Sequence, residues 1–191
     1  MASVAREAGV GIATVFRHFA TKEELVAAVF TDRMDSYADA VDAALADPDP
    51  WHGLTRLIET MCAMQAADYG FADVLTMTFP TAKALEKRRK ESFNAVVRLI
   101  DHAKAAGQLR ADFASQDLVL IFMANAGVVN ATGGSAPNAW RRVLAMILQA
   151  LEAPARGQLP DPPDDAAIYR AMLRASASPH AARAGDPNVG G

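Results

Sequence analysis

Cysteine is nearly absent: Cys62 stands alone in 191 residues. A single thiol closes no internal disulfide and builds no cysteine zinc site, so a reducing compartment is expected. Aromatic residues make up only 7%. No apolar run is long enough to span a bilayer; the most apolar stretch, residues 118–124, is far too short. The opening residues lack the basic-then-apolar order of a secretory leader. A soluble, cytoplasmic protein is expected, with no membrane partner. The net charge of −3 excludes a chain coated in basic charge, so any contact with nucleic acid must come from a local patch. His52, His102 and His180 lack metal-ligand spacing, and no nucleophile, base and orienting group assemble. No cofactor, no metal and no enzymatic activity are expected.

What is present is helix. Apolar residues reach 51% and charged residues 21%, alanine is abundant, and no segment alternates with period two. An all-α fold follows. Residues 1–19 read as two short helices broken at Gly9. Thr21-Lys22-Glu23-Glu24 reads as a capping box that opens a long helix, which stops at Asp47-Pro48-Asp49-Pro50. Further helices are expected over 51–66, over a short apolar segment at 71–79, from Pro80 to the glycine cap at Gly107, over 118–132 with Ser115 as its cap, over 139–152 and over 164–175. The Pro/Gly/Ala-rich tail, 178–191, is expected to be disordered. Three regions result: 1–46, a helix-turn-helix and linking helix; 47–177, a helical bundle; and the tail.

The most informative stretch runs from Ser3 to Lys22. Val4 and Ala8 lie one turn apart and are expected to face inward, Ala5 is small where a second helix must cross, and Gly9 permits a left-handed backbone. Val10 is expected to plug the corner, while Val15 and Phe19 hold the second helix down. Gly11, Ile12, Ala13, Thr14, Arg17 and His18 are left pointing outward. No acid occurs between Gly9 and Lys22, the absence a phosphate-facing surface requires.

These residues resemble the tetracycline-repressor (TetR) family of bacterial regulators. The matching positions are Val4-Ala5, Ala8-Gly9-Val10, Thr14-Val15-Phe16-Arg17-His18-Phe19 and Thr21-Lys22-Glu23-Glu24-Leu25. The resemblance implies a double-stranded DNA partner with a pseudo-palindromic operator. Thr14, Phe16, His18 and Lys22 would meet phosphates. Ile12, Ala13 and Arg17 would lie nearest the base edges, with Arg17 meeting a guanine or a phosphate. The family carries tyrosine where Phe16 stands, which removes one hydroxyl. It also carries a further helix ahead of this motif. A truncated three-helix head is therefore expected here, with lost packing on Val4, Val15, Phe19 and Leu25.

For the second region the resemblance implies a repressor released by a small apolar or amphipathic effector, and a homodimer through 116–132 and 139–152. The first of these helices is apolar nearly all round, which suits either a four-helix interface or burial within one chain. Ala124, Ala126, Gly127 and Ala131 would admit a close neighbour. Candidate effector-binding residues are Met61, Cys62, Met64, Phe71, Leu75, Met77, Phe79, Phe93, Val96, Phe122, Met123 and Asn125, with plain core as the alternative for each. Asn125, polar on an apolar helix, needs a partner in a ligand, a neighbouring side chain or its own copy across a dimer axis. The basic run from Lys87 to Lys90 reads as a solvated face. A second functional reading also fits: a helical ligand- or partner-binding protein whose truncated DNA-reading head does not function.

Overall fold

The computed structural model describes residues 1–67 and 82–177. Eight helices are described: α1 (Ala2–Glu7), α2 (Ile12–His18), α3 (Lys22–Leu45), α4 (Pro50–Ala67), α5 (Lys83–Ala105), α6 (Ser115–Thr132), α7 (Ala139–Leu151) and α8 (Asp165–Ala177). Among the described residues there is no strand, only an isolated antiparallel bridge between Leu109 and Glu152. The expected short helix at 71–79 and the tail from 178 lie outside the described residues.

Local chemistry sets most boundaries. The Thr21 hydroxyl accepts from the Glu24 amide at 3.1 Å, while the Glu24 carboxylate accepts from the amide of Ala20 at 2.7 Å. The box therefore reaches one residue further back than its usual form, and satisfies one orphan donor in the first turn of α3 and one amide ahead of it. At the other end of α3, Asp47 accepts from the Asp49 amide and Asp49 from the amides of Trp51 and His52, so the Asp-Pro-Asp-Pro turn ends one helix and caps the next. Ser115 is not the cap of α6. It is the first helical residue, Ala114 precedes it, and the Asp117 carboxylate accepts from the Ala114 amide at 2.7 Å. An acid at this position also suits the positive end of the helix dipole.

The long helix α3 packs against α4 and α5, and α6 packs against α4 and α7. Gly53 lets α3 and α4 meet: a Cβ there would strike the carbonyl of Ala44 and lie 3.1 Å from the Asp47 Cβ. The core runs from Met34, Tyr37 and Val41 of α3 through Leu54, Ile58 and Met61 of α4 to Val96, Leu99 and Ile100 of α5, and is closed by Leu118, Phe122, Trp140 and Leu144. The lower half of α3 is thus part of the bundle. A smaller apolar cluster, Val119, Ile168 and Met172, seats α8 on α6.

The chain between α7 and α8 is held by Arg110. This buried guanidinium donates to both carboxylate oxygens of Asp112 at 2.6 and 3.0 Å, and to the carbonyls of Ala150 (3.1 Å) and Gly157 (2.6 Å). Asp112 accepts in turn from the Leu159 amide at 2.8 Å. The residue that looks like one more surface charge in sequence is a clip that holds the approach to α8 in place.

Candidate nucleic-acid interface and effector cavity

The N-terminal hairpin is built by its turn. Ala8 ends α1, Gly9 adopts φ +65°, and two backbone bonds close the reversal: Gly9 N to Arg6 O at 3.2 Å and Val10 N to Ala5 O at 2.9 Å. This is a Schellman motif, whose left-handed position glycine occupies without a Cβ penalty. Ala5 and Val15 are buried and Phe19 is half-buried. Val4, Ala8 and Val10 depart from expectation, since all three are exposed, Val4 and Val10 at 41% and 43%. Among the described elements α1 packs mainly on α2, so only the face carrying Ala5 is covered.

With Val15 turned in, Gly11, Ile12, Ala13, Phe16, Arg17 and His18 are exposed and Thr14 is half-buried. Ile12 and Phe16 present about half of their surface to solvent, 47% and 48%. Lys22 is the first helical residue of α3, and it is exposed. A cation there opposes the positive end of the helix dipole, a local cost that a bound phosphate would reverse. No described carboxylate pairs with Arg17, His18 or Lys22. The basic run on α5 differs in kind: Lys87 pairs with Glu91, Arg88 with Asp35, and Arg89 and Lys90 with Glu86. Each of those charges has a carboxylate beside it, on α5 itself or on α3.

The predicted effector residues separate. Met61 and Cys62 are fully buried in the core, and Met64 packs against its edge. Burial pushes the Cys62 thiol up to about 12, with Glu59 adding to the effect, so it stays protonated and acts as an apolar filler. Asn125 has found its partner in a neighbouring side chain, donating to Gln65 Oε1 at 2.8 Å and to the Cys62 carbonyl at 3.3 Å. Phe71, Leu75, Met77 and Phe79 lie outside the described residues. Phe93 and Phe122 do come together, on a cavity of about 320 Å³ between α3, α5, α6 and α8. Its remaining wall includes Tyr37, Arg89, Ile168 and Met172, which sequence reasoning did not single out. The signal available was a phenol on the buried stripe of α3, in register with Met34 and Val41: a polar tip among core positions, as informative as Asn125.

A short helical hairpin with an uncovered cationic face, carried on a long helix that enters a bundle with a cavity, is the architecture of a one-component DNA-binding regulator. Comparison with known proteins places it more closely. Residues 1–29 match the profile of bacterial regulatory proteins of the tetR family, and residues 49–153 match the C-terminal domain of SbtR-like transcriptional regulators. The fold is similar to that of the TetR transcriptional regulator SCO0520 from Streptomyces coelicolor, at 30% identity and a TM-score of 0.51 over 80% of this chain and 86% of that one. A putative tetR family regulator from Shewanella sp. PV-4 shares the fold at 20% identity and a TM-score of 0.53, with the same coverage. No protein of curated function matches the sequence significantly. The chain belongs to the TetR family of transcription regulators.

Proposed function

We propose that this regulator is a repressor that a small molecule releases from its operator. The observation that carries the reading is the face of α2, where Ile12, Ala13, Phe16, Arg17 and His18 are open and unopposed by any described carboxylate. Thr14, His18 and Lys22 hold phosphates, Phe16 lies against the backbone with no hydroxyl to donate, and Ile12, Ala13 and Arg17 read base edges in the major groove. The division of labour runs along the chain: 1–46 reads DNA and links, 47–177 senses and dimerises.

Dimerisation uses α6 and α7. Leu120, Ala124, Gly127 and Ala131 form one exposed strip along α6, and Met146 of α7 is 55% exposed. Small residues let a second copy approach closely, and a two-fold axis sets two heads on successive major grooves of a pseudo-palindrome. Coupling runs through α3. It contains no glycine or proline between Lys22 and Leu45 and carries both Lys22 at the head and Tyr37 on the cavity wall. A ligand that favours a different seating of α3 changes the spacing of the heads and lowers operator affinity. The action is regulatory, in the cytoplasm, and calls for no cofactor. Selection of bound sequences from random duplex DNA tests the reading: enrichment of a pseudo-palindrome supports it, and a protein that enriches nothing at low salt refutes it.

A further inference from the structure

The cavity between α3, α5, α6 and α8 is chemically lopsided. One side is hydrocarbon: Phe93, Phe122, Ile168 and Met172. The cavity's polar lining is Tyr37, Arg89, Ser115, Gln116, Asp165 and Tyr169. Tyr37 is buried, only 5% exposed, and its hydroxyl bonds to no described residue. Burial pushes this phenol up to about 12, with Arg89 pulling weakly the other way, so it stays a donor throughout the physiological range. Arg89 spends Nε and one Nη2 hydrogen on Glu86, at 3.2 and 2.8 Å. Its other N–H groups have no acceptor among the described residues. Glu86, which does not itself line the cavity, is also approached by the exposed Lys90 at 3.7 Å, so Arg89 does not have this carboxylate to itself. Across the cavity Asp165 accepts from Gln116 Nε2 at 2.5 Å and repels an anion from that end.

We propose that the cavity binds a small carboxylic acid with an apolar body, its carboxylate accepting from the Tyr37 hydroxyl and the Arg89 guanidinium while its hydrocarbon lies against Phe93, Phe122 and Met172. A donor on a cavity wall that no described acceptor takes up is open to a ligand, and a charged acceptor is its strongest partner. The cavity is near the small end of the roughly 300–1,000 Å³ range of ligand sites, so an acid of about ten non-hydrogen atoms suits it. This names the effector chemistry of the function proposed above, and rests on that reading only for the consequence at DNA.

The test is calorimetric titration of the full chain with 3-phenylpropionate and hexanoate, each beside its neutral amide. Each acid should bind about tenfold or more tightly than its amide. Tyr37→Phe should weaken the acids by about tenfold while leaving the melting temperature of the unliganded protein unchanged or higher, because it removes a donor that has no partner. A purely structural tyrosine would lower that temperature. Amides that bind as well as acids, acid affinities that Tyr37→Phe does not move, or failure of both acids to bind each overturn the assignment. Binding to selected duplex DNA is scored separately. A protein that takes up acids but selects no DNA keeps this inference and loses the regulator reading; one that selects DNA but prefers amides does the reverse.

Discussion

Lys22 offers the sharpest test of how the head meets DNA. It is exposed, pairs with no described carboxylate and stands at the first position of α3, whose cap is made by Thr21 and Glu24 without its help. Lys22→Ala should therefore leave the fold intact, and removing a cation from a helix N-terminus should not lower the melting temperature. On DNA the effect is specific. Each phosphate contact contributes about 0.9 to the slope of log affinity against log salt, and a dimer loses two contacts, so the slope should become shallower by about 1.8. Between about 50 and 200 mM salt the variant should then lose about twelvefold less affinity than the parent. The loss at low salt should be nearly the same for every duplex sequence, since a phosphate contact carries no base information. Fluorescence anisotropy across a salt series reads all three quantities. An unchanged slope refutes the phosphate contact, a change of about 0.9 refutes two equivalent heads, and a loss confined to the preferred operator makes Lys22 a base reader instead.

Three further outcomes follow from local chemistry. Gly9→Ala meets no atom within 4 Å, so its cost is the left-handed backbone alone, about 1–2 kcal/mol in the hairpin, seen as weaker operator binding in a gel shift with little change in the bundle's melt. Asn125→Ala strands Gln65 Oε1 in a buried site and should cost about 1–3 kcal/mol by chemical denaturation, whereas adding Gln65→Leu should recover much of it; additive losses would refute the pairing. Hydrogen bonds from Arg110, and then from the Leu159 amide, hold the Asp112 carboxyl well below the usual carboxylate range. The native state therefore resists protonation there. The clip's stability is fully present above about pH 4 and is lost as pH falls below it, and Asp112→Asn should flatten that part of a thermal-melt profile.

The head and the helices were legible in the sequence because their causes are local. A glycine at a Schellman turn, a Thr-Lys-Glu-Glu cap and an Asp-Pro-Asp-Pro stop each act within a few residues, so α1, α2 and the limits of α3 follow from reading along the chain. The acid-free interval from Gly9 to Lys22 is likewise a property of sequence, and so is the alternation that leaves Ile12, Ala13 and Arg17 outside once Val15 is inside. What the chain order does not contain is which apolar face meets which. Val4 and Val10 carry the same signature as Val15, yet only Val15 is covered, because cover depends on where a second helix lies. Met61, Cys62 and Phe122 all read as possible pocket residues; packing put the first two in solid core and the third on a cavity wall. Tyr37 and Arg89 became neighbours only when α5 was laid along α3, and Arg110 became a clip only when the end of α7 and the loop after it were drawn to it. Hydrophobicity favours burial, but it is non-directional, so whether a residue is covered and by what is set by the three-dimensional arrangement.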